Sequence, residues 1–293
     1  METMTTTPSL AKGLREKVAQ GTLQVPGAPN ALAAKLIEKL GFPALYLSGG
    51  AFSAGTLAFP DIGLFTLTEL VQETRRIASS TTLPLLVDAD TGFGSEVNVR
   101  RTVEELEQAG ASAIQLEDQT LPKRCGHLSG KTLVPIEEMC QKIAAAKRAQ
   151  KNPETVLIAR TDGCGVEGFE SAITRAKAYV SAGADWIFPE ALQTKTEFEN
   201  FSREVSVPLL ANMTEFGKSP LLTSNELKAL GYRIVLYPVS LLRAAMFSME
   251  QLLTTIKEHG TQQPMLKQMQ TREELYDLLG YHDHPPEDSR HFS

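Results

Sequence analysis

The stretch LPLLVDADTGFGSEVNVRRTVEELEQAGASAIQLED, residues 83–118, contains the unit from which the fold follows. Leu83 to Asp88 is a nearly continuous apolar run that ends in a carboxylate, the pattern of a strand buried on both faces. Val97 to Ala109 repeats apolar residues every three or four positions, and Gly110 follows where a helix C-cap belongs. Ala113 to Glu117 is a second apolar run, again closed by an acid. Strand, helix and strand in that order imply parallel strands joined by a right-handed crossover.

The rhythm extends outward in both directions. A short helix at Leu10 to Gln20 precedes strands expected at Leu23 to Val25 and Ala44 to Leu47; beyond the central unit come Val156 to Ala159, Trp186 to Phe188, Leu209 to Ala211 and Ile234 to Tyr237. The spacing predicts helices over Glu69 to Ser79, Glu137 to Gln150, Glu170 to Ala182, Thr196 to Glu204 and Ser224 to Leu230, with Gly41, Gly110, Gly183 and Gly231 at C-cap positions. In Glu170 to Ala182, the residues Ala172, Ile173, Ala176, Tyr179 and Val180 form one stripe able to cover a sheet. Eight strands alternating with helices imply an α/β fold closed as a (β/α)8 TIM-type barrel. An open doubly wound sheet competes, but no G-x-G-x-x-G follows the first strand. A single domain is expected over 1–293: the barrel and its N-terminal helix over about 8–260, a C-terminal helix within about 261–280 (Arg272 to Leu279), and a polar tail over 281–293. That tail, with His282, His284 and His291, is expected to be a mobile end rather than a metal site. The helix Ser240 to His259 and the one after it exceed what one barrel needs, so a homo-oligomer is expected.

Composition excludes several classes of function. With 29 basic residues against 35 acidic ones and a net charge of −6, no basic block is available to track a phosphate backbone, so nucleic acid is not an expected partner. No apolar run approaches the roughly 18 residues that span a bilayer, and Met1-Glu2-Thr3-Met4 lacks the start of a secretory signal, so no membrane role and a cytoplasmic location are expected. Cys125, Cys140 and Cys164 are too few and too irregularly spaced for a disulfide framework or a zinc finger. Cys140 falls inside a helical pattern and is expected to fill core; Cys164, in a Gly-rich loop, is expected to be incidental.

Barrel active sites are built at the C-terminal ends of the strands, and polar residues collect there in this sequence. The strand ends carry Tyr46-Leu47-Ser48-Gly49-Gly50, Asp88-Ala89-Asp90, Glu117-Asp118, Arg160-Thr161-Asp162, Glu190, Asn212 with Thr214, and Ser240 with Arg243. Each has a purely structural alternative: a helix cap for Asp90, a turn for Ser48-Gly49-Gly50, an ion pair for Arg160 and Asp162. So many together are hard to explain without a ligand, because desolvating polar side chains is costly. Asp88, Asp90 and Glu117 offer hard oxygen ligands from neighbouring strands, the chemistry that suits Mg2+, with Mn2+ as a substitute. In Lys123-Arg124-Cys125-Gly126-His127, two cations and an imidazole surround a thiol, which favours a reactive cysteine and an anionic ligand. Zinc held by Cys125 and His127 is the weaker alternative, since no second ligand pair accompanies them.

These motifs, together with Phe188-Pro189-Glu190-Ala191, Asn212-Met213-Thr214-Glu215-Phe216 and Met269-Gln270-Thr271-Arg272, resemble the isocitrate lyase and phosphoenolpyruvate mutase superfamily, and within it the methylisocitrate lyases, over nearly the whole chain. The resemblance implies that Asp88 contacts Mg2+, with Asp90, Glu117 and His127 close by or acting through water. It implies that a tricarboxylate substrate is held by Ser48, Gly49, Gly50, Cys125, Gly126, Arg160, Glu190, Asn212, Met213, Thr214, Arg243 and Arg272. It further implies cleavage of 2-methylisocitrate to pyruvate and succinate, with Cys125 as general acid and His127 in the catalytic set. Tyr46 is the candidate base. Phe188, Leu236 and Pro238 would form the pocket for the extra methyl group. The C-terminal helices would pack on or swap with a neighbouring subunit in a tetramer. A lyase acting on 2,3-dimethylmalate or isocitrate, and a non-catalytic barrel that binds dicarboxylates, are the rival functions.

Overall fold

The computed structural model describes residues 9–281, so all but the first residue of the expected polar tail lies outside the described residues. By chain contacts the protein divides into two compact units, 1–242 and 243–293.

The first unit alternates strands and helices: α1 (Leu10–Gln20), β1 (Leu23–Pro26), α2 (Ala31–Lys39), β2 (Leu45–Leu47), α3 (Gly49–Leu57), α4 (Leu67–Ala78), β3 (Leu85–Asp88), α5 (Glu96–Ala109), β4 (Ala111–Glu117), α6 (Ile136–Ala149), β5 (Val156–Thr161), α7 (Gly163–Val166), α8 (Phe169–Ala182), β6 (Trp186–Pro189), α9 (Lys195–Glu204), β7 (Leu210–Asn212), α10 (Ser224–Ala229) and β8 (Ile234–Tyr237). All strand pairs are parallel. One run pairs β2-β3-β4-β5-β6 and another β1-β8-β7. Single bridges from Gly27 to Tyr46 and from Ile187 to Leu209 join the two runs and close the barrel expected from the sequence.

The two-residue strand period sorts the core into two shells. In β4, Ile114 and Leu116 face the helices, while Ala113 belongs to the inner cluster with Leu86, Val156, Ile158, Trp186, Phe188, Leu210, Ile234 and Leu236. Leu14 and Val18 of α1 join that inner cluster, and Arg15 of the same helix reaches the carbonyls of Glu154 and Thr155. Towards the C-terminal ends the inner columns turn polar: Ala113 is followed two residues on by Gln115 and then Glu117, Ile158 by Arg160, Leu86 by Asp88, Phe188 by Glu190, Leu210 by Asn212. Polar side chains thus converge at one end of a greasy barrel.

Helix ends follow their local chemistry. Thr66 and Glu69 form a capping box for α4, as do Thr223 and Glu226 for α10, each worth about 1 kcal/mol. Gly41, Gly110, Gly183 and Gly231 all take positive φ just beyond a helix, as their spacing predicts. Two helices were not expected. Gly49–Leu57 has no apolar stripe; it forms because Ser48 caps the Ala51 N–H at 3.2 Å and Phe52 buries edge-on against Phe65 at 5.3 Å. Cys164 lies in the short helix α7 rather than a loop, and burial pushes its thiol up to about 11, which suits an inert residue. Cys140 meets its expectation, packed against the core with its thiol towards the Ala178 carbonyl.

α11 (Ser240–His259) begins in the first unit and continues into the second, which also holds a 3-10 turn (Gln263–Gln268) and α12 (Arg272–Leu279). α12 carries its own Thr271–Glu274 capping box. No residue of α11 is buried, and Met246, Phe247, Met249, Leu253 and Ile256 are exposed. Among the described residues no helix is long and apolar enough to cross a membrane.

Candidate active site

A cavity of about 80 Å3 opens at the C-terminal end of the barrel, lined among others by Tyr46, Ser48, Gly50, Asp61, Asp88, Lys123, Cys125, Gly126, His127, Arg160, Phe188, Glu190, Asn212, Thr214 and Pro238. Most of the residues singled out in the sequence therefore meet in one place. Asp88, Asp90 and Glu117 are buried and can bring one carboxylate oxygen each within 4.8 Å of one another. Of the three, Asp88 faces the cavity. It accepts hydrogen bonds from the backbone N–H of Gly49 (3.2 Å) and Asp90 (3.2 Å) and from Gln115 Nε2 (3.1 Å). A Cβ at Gly49 would come within 2.9 Å of Asp90 Oδ1 and 3.2 Å of Asp88 Oδ2, so a side chain there would push those carboxylates aside. Asp90 turns the chain with φ 46°, a left-handed conformation that Asp tolerates better than most residues.

The electrostatics of this trio suit a cation. Glu117 Oε1 has no hydrogen-bond partner, and Oε2 faces Arg160 Nη1 at 3.3 Å without hydrogen-bond geometry. Asp90 Oδ1 pairs with Lys123 Nζ at 2.8 Å, again off the hydrogen-bond angle. Burial pushes Glu117 well above the usual carboxylate range and Asp90 up to about 7. Around the cavity Asp61, Asp88, Asp90, Glu117, Asp162 and Glu190 stand against Lys123, Lys131 and Arg160, an excess of carboxylates. A divalent cation would supply the missing positive charge and let the buried acids ionise, so the donor set fits one.

Arg160 is shared among three acids. Its Nε and Nη2 meet Asp162 at 3.0 and 3.2 Å, Nη1 faces Glu117, and Nη2 lies 3.3 Å from Glu190. Its guanidinium also lies over the Phe188 ring, 5.4 Å from the centroid. The structural alternative for Arg160 and Asp162 is thus realised, while Arg160 still lines the cavity. Burial alone would raise Glu190, but Arg160 and His127 hold its carboxyl at about 2. His127 Nε2 stands 3.1 Å from Glu190 Oε1, and its Nδ1 accepts from the Lys218 N–H at 2.9 Å. It is therefore tied to Glu190 and Asn212 rather than to the acidic trio.

Several expectations need correction. Lys123 is not directed at Cys125; it is buried in ion pairs with Asp61 and Asp90. Met213 turns away from the cavity into the shell between strands and helices, because strand alternation that points Asn212 inward points its neighbour outward. Leu236 is fully buried one layer below Pro238 and does not line the cavity, whereas Phe188 and Pro238 do. Tyr46 reaches the cavity, but burial, reinforced by Asp88, holds its phenol well above the ordinary range, and its hydroxyl donates to Gln115 Oε1 at 3.0 Å. A phenol so strongly biased to its neutral form is a poor base. Asp118, at a strand end beside Glu117, is structural: it accepts from Tyr179 (2.8 Å), Thr161 (2.8 Å) and the Asp162 N–H (2.9 Å). Arg243 and Arg272 belong to the second unit, and both are exposed.

Three residues at the site went unremarked in the sequence. Asp61, Gln115 and Lys131 have no motif around them; the one local signal is that Gln115 interrupts an otherwise apolar strand.

A family model for phosphoenolpyruvate phosphomutase matches residues 14–257. The chain belongs to that family. This phosphomutase-family chain is 52% identical to 2-methylisocitrate lyase of Aeropyrum pernix over 94% of its own length and 89% of that protein. It is 49% identical to 2-methylisocitrate lyase of Bacillus subtilis, over 91% and 87%. Among solved structures, oxaloacetate acetylhydrolase in complex with 3,3-difluorooxalacetate superposes with a TM-score of 0.89 at 35% identity, covering 94% of each chain. 2,3-Dimethylmalate lyase, a member of the phosphoenolpyruvate mutase and isocitrate lyase superfamily, gives 0.89 at 32%, over 95% and 94%. Phosphonopyruvate hydrolase in complex with oxalate and Mg2+ gives 0.84 at 33%, over 94% and 96%. The superfamily that the motifs resembled is therefore the one to which the chain belongs.

Proposed function

We propose that this protein is a carbon–carbon lyase that cleaves 2-methylisocitrate to pyruvate and succinate. The observation that carries this is the placing of Cys125 at the edge of a carboxylate-lined cavity, in a chain about half identical to enzymes of that name. Asp88, with Asp90 and Glu117 behind it, would hold Mg2+, or Mn2+ in its stead. When bound, the ion stabilises negative charge developing on oxygens of the departing oxo-acid.

The chain's own residues bind, orient and supply a proton. The N-terminus of α3, with Ser48, Gly49 and Gly50, offers a favourable field to a substrate carboxylate. Arg160, Asn212 and Thr214 line the opposite wall. A base of the carboxylate-lined cavity takes the substrate hydroxyl proton, the oxo-acid C=O forms as the carbon–carbon bond breaks, and the electron pair left on the departing carbon takes a proton from the Cys125 thiol. Glu190 keeps His127 and Gly126 in place beside it. Tyr46 acts as a neutral hydrogen-bond partner rather than as the base. Phe188 and Pro238 take the extra methyl group, with Leu236 supporting them from below; one methyl contact is worth about 1–3 kcal/mol, so selectivity over 2,3-dimethylmalate and isocitrate is modest. The exposed apolar residues of α11 support a homo-oligomer, a tetramer by family likeness, which light scattering would report as a monomer if this is wrong.

The test is pyruvate release from 2-methylisocitrate, followed as NADH oxidation through lactate dehydrogenase. We expect turnover with Mg2+ and none with EDTA, and a higher kcat/KM than on 2,3-dimethylmalate or isocitrate. Tight dicarboxylate binding with no pyruvate would instead identify a non-catalytic barrel.

A further inference from the structure

The loop carrying Cys125 is held by two side chains to which no role has been given. Its roots are stapled together: the Thr120 N–H donates to Thr132 O at 2.9 Å, the Val134 N–H to Asp118 O at 2.9 Å, and Gln119 pairs with Leu133. Beyond the roots, apolar burial does little to fix the tip, since Leu121 and Leu128 are both exposed. Polar contacts hold it instead. Gln119, buried at one root, clasps the residue before Cys125 at both backbone groups: its Nε2 donates to Arg124 O at 2.8 Å and its Oε1 accepts from Arg124 N at 2.8 Å. Lys131, buried at the other root, donates from Nζ to the carbonyl of Gly126, the residue after Cys125, and to Asp162 Oδ1 at 2.5 Å. Asp162 is itself anchored in the barrel by Arg160 and by Asp118, which accepts from its N–H.

We propose that Lys131 and Gln119 are positioning residues that latch the Cys125 loop over the cavity, Lys131 by tying the Gly126 carbonyl to Asp162 and Gln119 by clasping Arg124. Because both side chains spring from the stapled roots, they stay in place when the tip lifts. Their contacts to Arg124 and Gly126, the peptides flanking the thiol, would break together with those of Lys123 to Asp61 and Asp90 and of His127 to Glu190. An ammonium buried without a substrate to touch is costly, and its two acceptors, one on the barrel and one on the loop, give it a use that core packing alone would not. The catalytic consequence rests on the function proposed above; the latch itself does not.

The test compares the parent protein with Lys131→Met, Lys131→Arg, Gln119→Met and the surface control Lys177→Met. Two readouts are taken on each: the iodoacetamide alkylation rate of Cys125, resolved by mass spectrometry from Cys140 and Cys164, and kcat with KM on 2-methylisocitrate. Loss of a charge-assisted or two-point hydrogen bond should speed Cys125 alkylation about tenfold, with the other two cysteines unchanged. A misplaced thiol should lower kcat by about ten- to a hundredfold while KM moves little, with partial rescue in Lys131→Arg. Gln119→Met removes no charge and decides the matter if Lys131→Met does not fold. Unchanged Cys125 alkylation in the folded variants overturns the latch whatever happens to kcat, as does a rise shared equally by all three cysteines. Faster Cys125 alkylation in a protein that turns over no 2-methylisocitrate would uphold the latch and reject the proposed function.

Discussion

Replacing Gly126 by alanine puts one methyl group where the loop meets the barrel. A Cβ at 126 would stand 2.4 Å from Arg160 Nη2 and 2.5 and 2.6 Å from Glu190 Cγ and Cδ. Neither neighbour is free to yield. Arg160 is forked onto Asp162 at 3.0 and 3.2 Å, and Glu190 accepts from the Ala191 N–H at 2.8 Å while pairing with His127 at 3.1 Å. Ordinary contact begins near 3.4 Å, so the loop must retreat by about 1 Å, carrying Cys125 with it. A displacement of that size in the proton donor costs about 100-fold in rate, or about 2.7 kcal/mol of transition-state stabilisation. The expected outcome for Gly126→Ala is therefore a kcat about 100-fold lower in the lactate dehydrogenase-coupled assay, with an unchanged melting temperature because no core side chain is lost. A kcat within about threefold of the parent would refute the close packing of loop on barrel as the basis of catalysis.

Two further outcomes follow from the charge states. Tyr46→Phe should lower stability by about 1–3 kcal/mol in urea melts, because Gln115 Oε1 loses its donor inside the barrel, and should lower kcat while leaving both limbs of the pH–rate profile in place; disappearance of one limb would return the part of base to Tyr46. Glu167 is held at about 2 by its hydrogen bonds to Arg175, so its contribution is present above pH 4.5 and fades as pH falls towards 2. Its side chain is 37% exposed, so solvent screening leaves about 1 kcal/mol, and Glu167→Gln should be destabilised by that much at pH 7 with the deficit narrowing below pH 4.5; an equal deficit at pH 3 and pH 7 would contradict the ion pair.

The barrel was legible because its determinants are local. Apolar runs such as Leu83 to Asp88, stripes such as Ala172 to Val180, and a Gly after most helices each act within a few residues. The helix Gly49–Leu57 escaped for the same reason: glycines and small residues give it no stripe, and its support comes from Phe65, in the loop beyond the helix. The polar strand ends were legible as a group, since every second residue of a barrel strand points inward. What each one does was not. Asp118 and Glu117 are neighbours in sequence, yet one is saturated by Thr161 and Tyr179 while the other faces Arg160 with neither oxygen hydrogen-bonded.

By itself, the sequence determined that eight strands would alternate with helices, that carboxylates would gather at the strand ends, and that a thiol would sit on a cationic loop nearby. Periodicity and turn chemistry settle such matters, because they operate over one or two turns of chain. Only the tertiary structure decided that Lys123 serves Asp61 and Asp90 rather than Cys125, that Met213 and Leu236 stand away from the cavity, and that Lys131 ties the loop to Asp162. Those pairings join groups 31 to 62 residues apart for Lys131 with Asp162 and Lys123 with Asp61. A buried charge must take whichever partner the closed barrel brings within reach, and no local pattern encodes that choice.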